Sequence, residues 1–414
     1  MKLKPPKVPK ICVLPWTHLA TVPDGRAIPC CLQYHYLDDY DNVNIQTNTV
    51  NEIMNSKGYK NLRLQMLNGE FPESCEKCYS REKLTGKSLR TEQNKKPWHK
   101  DVFRNVRQLT EADGTIKDIK IKIWDIRFSN LCNMACIMCG PDFSSKWARE
   151  YPGEYTKLLK NFKDNNTVKF IDENIKHVQE IYFAGGEPLI MDEHYYILDK
   201  LIELGKTDVT LRYNTNFLKT NHKGKNAFDY WKQWKGPIEL APSIDAMGKR
   251  AEYIRYGTKW EDVDANLKKA VELGLKPRPL ITVGVYNMLH LPDLAKYFHS
   301  IGIDMYNLNM LNTPIEYDCA MAPNELKEDT LYFLEENFKH VKSETSLERF
   351  RKLTSELVQK CKPVKDESEL HLNNINFVEK IFDIDKKRNL DFFRTFPELF
   401  GYYEIYHKYN TLGE

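Results

Sequence analysis

The sequence of 414 residues contains no apolar run that approaches the roughly 18 residues of a membrane-spanning helix. It also lacks an excess of one charge, because 61 lysines and arginines stand against 58 aspartates and glutamates. The resulting formal net charge of +3 gives no general electrostatic argument for nucleic-acid binding. Internal repeats and low-complexity segments are also missing. We therefore expect a cytoplasmic protein of two or three domains, without a membrane or a nucleic acid as partner.

Cysteine, by contrast, is abundant, with ten residues. In a reducing compartment these are not expected to form disulfides, so metal ligation or thiol chemistry is the leading interpretation. Most of them fall into two groups separated along the chain. The first group is Cys12, Cys30, Cys31, Cys75 and Cys78, the second is Cys132, Cys136 and Cys139, and Cys319 and Cys361 lie outside both.

Composition divides the chain into three predicted domains, at residues 1–115, 116–321 and 322–414. The first is rich in cysteine and turn residues and shows little helical periodicity. The second alternates strand-like and amphipathic segments, which predicts an α/β class with a parallel sheet covered by helices. The third is charged, dotted with aromatic residues and predicted to be helical. The strands of the second domain are predicted at 121–128, 178–186, 208–216, 237–245 and 277–287.

The stretch SNLCNMACIMCG follows the first of these strands. In a barrel, the loop after a strand lies at the face where active sites gather. The C-x3-C-x2-C spacing lets Cys132, Cys136 and Cys139 surround one compact object. A structural zinc ion takes four ligands, so three ligands fit a metal or cluster that keeps one position open. The alternative is three buried cysteines that act as small hydrophobic residues.

Polar residues also follow the next strands. In AGGEP, Gly185 and Gly186 allow backbone to approach a ligand closely, and Glu187 can accept a hydrogen bond from an ammonium group. RYNTNF ends the third strand with Asn214 and Asn216. Each stretch has an ordinary alternative, because Gly-Gly-Glu-Pro forms turns and a strand-end asparagine caps one.

PSIDA ends the fourth strand, where Ser243 and Asp245 share one face because they lie two residues apart. The following segment contains Arg255, whose planar guanidinium suits a carboxylate. Its alternative is a solvated helix arginine. TVGVYN ends the fifth strand, and a core strand explains its apolar residues equally well.

The order of these motifs resembles the radical S-adenosylmethionine (SAM) superfamily, whose signature is C-x3-C-x2-C after the first barrel strand. The resemblance implies a partial (β/α)6 TIM-like barrel and a [4Fe–4S] cluster on Cys132, Cys136 and Cys139, with SAM on the open iron. Reductive cleavage of SAM would give methionine and a 5′-deoxyadenosyl radical that abstracts a substrate hydrogen. A reducing electron donor such as flavodoxin or ferredoxin is the implied partner.

The same resemblance assigns roles around SAM. Glu187 would meet the SAM amino group, and Asn214 or Asn216 the ribose hydroxyls. Ser243, on one face with Asp245, would lie near the SAM carboxylate, which Arg255 would hold. The implied adenine contacts are Met138, where the family often has an aromatic residue, and Val283, Gly284 and Asn287.

In the first hundred residues, two cysteine pairs on separate loops have the pattern of a four-cysteine metal site. The spacing alone does not distinguish a zinc site from an iron–sulfur cluster. It favours Cys30 over its neighbour Cys31 as the fourth ligand. The pattern resembles the auxiliary-cluster module called SPASM, in its four-ligand form Twitch, placed before the barrel instead of after it. The resemblance implies a second iron–sulfur cluster, expected to be [4Fe–4S], on Cys12, Cys30, Cys75 and Cys78. A structural metal clip is the alternative.

Cys319 lies close to the predicted end of the last barrel strand. It is either a packed cysteine or a hydrogen-atom donor to a substrate radical. Superfamily members with the auxiliary module often epimerise, crosslink or oxidise peptides or proteins, and others act on sugars or nucleotides. We therefore expect a radical SAM enzyme with a peptide or protein substrate. The alternatives are a small-molecule substrate and a non-catalytic zinc-binding interaction module.

Overall fold

The computed structural model describes residues 10–33, 43–151, 167–339, 344–364 and 368–410. These residues form two compact units. The first unit consists of 10–33, 43–131, 167–214 and 221–238, and the second of 132–151, 215–220, 239–339, 344–364 and 368–410. Parts of the predicted domains 1–115, 116–321 and 322–414 lie outside the described residues, and that division stays a prediction.

The elements of the described chain are mostly short strands and helices. The strands are β1 (His18–Thr21), β2 (Ala27–Ile28), β3 (Ile123–Asp125), β4 (Glu180–Phe183), β5 (Thr210–Thr215), β6 (Asn221–His222), β7 (Lys225–Asn226), β8 (Ile238–Pro242), β9 (Leu280–Val283) and β10 (Asn307–Met310). The helices are α1 (Leu14–Thr17), α2 (Val50–Met54), α3 (Lys57–Leu67), α4 (Glu76–Thr85), α5 (Leu89–Lys95), α6 (Lys100–Asn105), α7 (Ser145–Glu150), α8 (Thr167–Asn174), α9 (Asp192–Glu203), α10 (Ala227–Gln233), α11 (Gly248–Ile254), α12 (Trp260–Glu272), α13 (Leu291–Ser300), α14 (Asn324–Lys339), α15 (Glu344–Lys360), α16 (Ser368–Arg388), α17 (Phe392–Thr395) and α18 (Phe400–Asn410). Single 3₁₀ turns are Glu73–Cys75, Pro97–His99, Ile175–His177, Pro188–Ile190, Met288–His290, Ile315–Tyr317, Cys319–Met321 and Pro397–Leu399.

The first unit is built on a mostly parallel sheet, in which neighbouring strands follow the order β2-β1-β3-β4-β5. β1 pairs antiparallel with β2 and parallel with β3, so that the N-terminal strand extends the sheet of the first predicted barrel strand. One face is apolar and fully buried, with Leu19, Trp124, Ile181 and Leu211 in register across four strands. This row forms the core of the unit.

The opposite face of the same sheet is polar. The buried carboxylate of Glu180 on β4 accepts hydrogen bonds from Lys96 Nζ at 2.7 Å and from Arg212 Nη1 at 3.1 Å. Arg212 also lies over the ring of Tyr182, its partner in the β4–β5 register. A carboxylate buried in this way needs compensating cations, and two of them surround it.

The predicted alternation of strands and helices is confirmed. β3, β4, β5, β8 and β9 lie inside the five predicted stretches, and the α/β class holds. The helices α9 and α12 end before Gly205 and Gly274, whose φ angles of 66° and 74° are left-handed, as glycine at a helix C-terminus permits. Within the second unit, Ser243 pairs parallel with Leu280, and β9 pairs parallel with β10.

The first hundred residues contain more helix than their weak periodicity suggests. The helices α2–α6 are between 5 and 11 residues long, too short for a clear periodic signal. α2 begins at a capping box in which Thr49 and Glu52 exchange hydrogen bonds. α3 buries Tyr59, Leu62 and Met66. Caps and tertiary packing therefore determine these helices.

The C-terminal part of the second unit is helical, as expected. α16 packs against α18, where the rings of Phe377 and Tyr402 lie 4.5 Å apart. Phe377 also contacts Tyr317, and Phe392 of α17 contacts the same phenylalanine. In the part of the chain described, no helix combines the length and the apolar character needed to cross a membrane.

Two buried histidines of the first unit predict how stability depends on pH. Burial lowers the pKa of His194 to about 3 and that of His99 to about 4. In the unfolded chain histidine titrates near pH 6.5, so the unfolded state binds more protons as the pH falls. From pH 7.5 to 5.5, each histidine should lower the free energy of unfolding by about 1.4 kcal/mol.

Urea unfolding of the wild type and of His194→Gln at both pH values measures this effect. Between pH 7.5 and pH 5.5, the free energy of unfolding should fall by about 1.4 kcal/mol less in the variant than in the wild type. His299→Gln is the control, because the side chain of His299 is 83% exposed. An unchanged pH difference in His194→Gln would contradict the prediction.

Candidate functional site

The three-cysteine loop belongs to the second unit and is held by the segment that follows α11. Ala135 N donates to Tyr256 O, and Ile137 N donates to Ile254 O, both at 2.8 Å. Gly257 has a φ of 102°, and a Cβ there would lie 2.8 Å from the carbonyl oxygen of the loop residue Asn133. The loop and this segment are therefore packed backbone to backbone.

The loop thiols are largely withdrawn from solvent. Cys136 is 8% exposed, and Cys132 and Cys139 are half-buried. Burial raises the pKa of Cys139 to about 12 and also raises the pKa of Cys136. Thiols in such a place ionise when a metal supplies positive charge, so the donor set fits a thiolate-bound cluster.

No three His, Cys, Asp or Glu side chains of the described residues are arranged as ligands of a single metal ion. In a [4Fe–4S] cluster, by contrast, each cysteine binds a different iron atom.

Arg255 carries the positive charge beside the loop. Its Nη1 lies 3.7 Å from Cys136 Sγ, and its Nη2 lies 2.8 Å from Asp245 Oδ2. Asp245 is buried, and its Oδ1 accepts a hydrogen bond from Thr282 N at 2.7 Å. Burial alone would lower the pKa of Arg255, but Asp245 and Cys136 raise it. Arg255 Nε is buried without a hydrogen-bond partner among the described residues, so an anionic ligand group would satisfy it.

A pocket in the second unit brings four predicted residues together. It encloses about 210 Å³, partly open to solvent, and its lining includes Asn216, Ser243, Asp245 and Arg255. Asn216 Oδ1 accepts a hydrogen bond from Leu218 N at 3.0 Å, so this asparagine caps a turn as well. The capping alternative for this asparagine is therefore seen in the structure, and its contact with ribose stays a prediction.

Asn287 is 1% exposed, and its carboxamide is committed to backbone groups. Its Oδ1 accepts from Gly284 N at 2.9 Å, and its Nδ2 donates to Asp245 O at 2.9 Å and to Thr282 O at 3.0 Å. Val283 is fully buried in β9. The geometry supports a core role for these residues, and their adenine contacts stay a prediction, as does that of the half-buried Met138.

In the first unit, the AGGEP turn packs against the residue that precedes the cysteine loop. A Cβ at Gly186, whose φ is 28°, would lie 2.2 Å from Leu131 O. Glu187 N donates to the same oxygen at 2.7 Å, and Glu187 Oε1 accepts from Leu189 N at 3.0 Å. Gly186 thus allows a close backbone approach, and the approaching backbone belongs to the chain itself, whereas a Cβ at Gly185 would meet the side chain of Arg127. Asn214 is half-buried near the end of β5, and its contact with ribose stays a prediction.

The first unit also contains a cavity lined by four cysteines. It encloses about 420 Å³, partly open to solvent, between Cys12, Cys30, Cys75 and Cys78. Burial raises the pKa of Cys75 to about 11. Four convergent thiols without a disulfide are a donor set that fits a cluster.

Cys31 does not line this cavity. Burial raises the pKa of Cys31 to about 11, and Asp125 adds to the shift while Arg127 and Arg212 oppose it. Its neighbours are therefore charged residues of the sheet. Of the two adjacent cysteines, only Cys30 therefore lines the cavity together with Cys12, Cys75 and Cys78.

Cys319 has no exposed surface, and burial raises its pKa well above the usual value. Cys361 and Asp318 lie close enough to raise it further. This environment is that of a packed cysteine, and the role of Cys319 as a hydrogen donor stays a prediction. The sequence reasoning missed the pairing of Arg255 with Asp245 and the position of Gln33 beside Cys75, because neither belongs to a local motif.

Two parts of the chain match known family models. Residues 126–308 match the model of the radical SAM superfamily, and residues 12–79 match that of the SPASM iron–sulfur cluster-binding domain. No curated protein matches the sequence.

Among solved structures, native anSMEcpe with bound AdoMet (SAM) is 14% identical, with a TM-score of 0.35 over 51% of this chain and 57% of that chain. Its complex with AdoMet and the Cp18Cys peptide is 15% identical, with a TM-score of 0.34 over 51% and 57%. Streptococcus suis SuiB bound to S-adenosylmethionine is 14% identical, with a TM-score of 0.37 over 68% and 63%. The chain thus spans less than two thirds of the length of each.

Proposed function

We propose that the chain abstracts a hydrogen atom from a peptide or protein substrate, because residues 126–308 match the radical SAM superfamily and residues 12–79 match a SPASM domain. Its cofactors are a [4Fe–4S] cluster and SAM, and the SPASM domain indicates a further iron–sulfur cluster. When bound, the first cluster supplies the electron that cleaves SAM to methionine and a 5′-deoxyadenosyl radical. The observation that carries the proposal is the pocket lined by Asn216, Ser243, Asp245 and Arg255.

We assign the three thiolates of Cys132, Cys136 and Cys139 to the first cluster. Two backbone hydrogen bonds join their loop to Ile254, the last residue of α11, and to Tyr256 in the segment after it. A loop fixed before the metal binds loses less conformational entropy when it binds. The same segment carries Arg255, so the ligand loop and the cation are positioned by one contact.

Arg255 is the residue we assign to the SAM carboxylate. Asp245 holds one side of its guanidinium, and its buried Nε is without a partner in the described structure. A carboxylate in the pocket would satisfy this donor by a charge-assisted hydrogen bond. We keep Ser243 beside it, Glu187 for the SAM amino group and Asn216 or Asn214 for the ribose.

The substrate class rests on the auxiliary module. In the family that the chain resembles, members with this module often modify peptides or proteins. We propose the same class here, with epimerisation, crosslinking or oxidation as the final reaction. A flavodoxin or ferredoxin is the proposed electron donor, since the first cluster needs a strong one-electron reductant.

Reductive cleavage of SAM tests the reaction class. The full chain, reconstituted with iron and sulfide without oxygen and then given dithionite and SAM, should form 5′-deoxyadenosine, measured by mass spectrometry. Cys136→Ala should abolish this product because one cluster ligand is lost. Cys361→Ala is the matched control, a buried cysteine of the same unit outside both ligand sets. SAM binding without cleavage, or retention of zinc alone, would contradict the proposal.

Arg255→Gln tests the assignment of the SAM carboxylate. Loss of a charge-assisted hydrogen bond removes about 1.5–3 kcal/mol, so the Kd for SAM should rise by about 10- to 150-fold. Equilibrium dialysis measures the Kd, and circular dichroism checks that the variant is folded. Arg250→Gln is the control, because Arg250 pairs with Glu398 at 3.0 Å elsewhere in the unit. A folded Arg255→Gln with an unchanged Kd would refute the assignment.

Cys30→Ser and Cys31→Ser test the second cluster. The wild type should hold about eight iron atoms, as two [4Fe–4S] clusters require. Cys30→Ser should lose part of this iron, since Cys30 lines the four-cysteine cavity, and Cys31→Ser should retain it. Iron, sulfide and zinc are counted per chain. If zinc were found in place of the second set of iron atoms, the site would be a structural zinc site and not a redox cluster.

A further inference from the structure

Gln33 connects the segment of Cys30 to the segment of Cys75, two of the four cysteines that line the cavity. It is 2% exposed and lines the cavity itself. Its backbone N donates to Cys30 O at 3.1 Å, which closes a turn on one cysteine loop. Its side-chain Nε2 lies 3.1 Å from Ser74 Oγ and 3.5 Å from Cys75 Sγ on the other. One carboxamide therefore reaches a ligand sulfur from the opposite loop.

Cys75 therefore has a side-chain donor beside its sulfur, because Gln33 Nε2 donates to Cys75 Sγ. The second contact of the same amide, with Ser74 Oγ, holds the carboxamide of Gln33 in this position.

The surroundings increase the effect of this donor. The charged lining residues are Lys77 and Arg90, of which Arg90 is paired with Glu82. Much of the remaining lining is apolar, and it includes Leu14, Pro15, Leu32, Leu62, Met66 and Leu89. In an apolar environment a dipole near a charge acts more strongly than it does in water. The reduction potential of an iron–sulfur cluster depends on hydrogen bonds to its sulfurs, on net charge and on solvent exposure.

We infer that Gln33 is a positioning residue that raises the reduction potential of the second cluster, by donating a hydrogen bond to the sulfur of Cys75. The inference rests on the proposed function, namely on a cluster held by Cys12, Cys30, Cys75 and Cys78. Reduction adds one negative charge to the cluster and its sulfurs. An N–H donor stabilises the reduced cluster, which is more negatively charged, more strongly than the oxidised cluster. The reduction potential therefore rises.

The potential is measured on the full chain with Cys132→Ala, Cys136→Ala and Cys139→Ala, so that only the second site can bind a cluster. After anaerobic reconstitution, the reduced cluster is titrated against potential by electron paramagnetic resonance. Gln33→Leu removes the donor and should make reduction about tenfold less favourable, a shift of about 59 mV to lower potential. Gln65→Leu, at an exposed glutamine of α3 in the same unit, should leave the potential unchanged.

A second variant keeps the test decisive if Gln33→Leu fails to hold iron. Gln33→Met keeps a side chain of similar length without the N–H donor to Cys75 and should shift the potential in the same direction. Normal iron content with an unshifted potential in either variant would overturn the inference while leaving the second cluster intact. A parent chain that holds no iron would overturn the cluster assignment itself, together with the inference that depends on it.

Discussion

The buried ion pair between Arg255 and Asp245 is the interaction on which the pocket of the second unit depends. It connects the segment after β8 to β9, because Asp245 also accepts a hydrogen bond from Thr282 N. It reaches the cysteine loop as well, since Arg255 lies 3.7 Å from the sulfur of Cys136. Removing one member of a buried pair leaves an uncompensated charge and costs about 3–5 kcal/mol. The geometry of the pocket and the charge beside the loop are therefore coupled.

Sequence reasoning succeeded where the signal was local. The alternation of strands and helices, the three-cysteine loop and the pair Ser243 and Asp245 all follow from spacing along the chain, and both members of that pair line the pocket. It failed to find the partner of Arg255, because a solvated helix arginine and a buried one have the same local sequence. Arg255 follows the last residue of α11, and only tertiary packing withdraws its side chain from water.

In the N-terminal region as well, the sequence predicted features with a local signal and not contacts between distant residues. The spacing favoured Cys30 over Cys31 as the fourth ligand. In the structure, Cys30 lines the cavity together with the other three predicted ligands, and Cys31 does not. That β1 would pair with β3 was not predictable, because a four-residue strand carries no signal for a partner about a hundred residues away. Gln33 could not be found either, since its contact with Cys75 joins two loops that are distant in sequence. Long-range pairing is decided by packing and not by pattern.

The two proposed clusters therefore differ in how the protein treats their charge. Beside Cys136 stands a full cation, which would attract an anionic ligand and compensate the thiolates at the same time. Beside Cys75 stands the neutral carboxamide of Gln33. The cavity lining also includes Lys77 and Arg90, and the charge of Arg90 is paired with Glu82. A neutral dipole stabilises added charge without binding an anion. A site that must hold SAM needs a cation that attracts the SAM carboxylate. In a site with four protein ligands, a neutral dipole can adjust the reduction potential without giving the site affinity for a substrate anion.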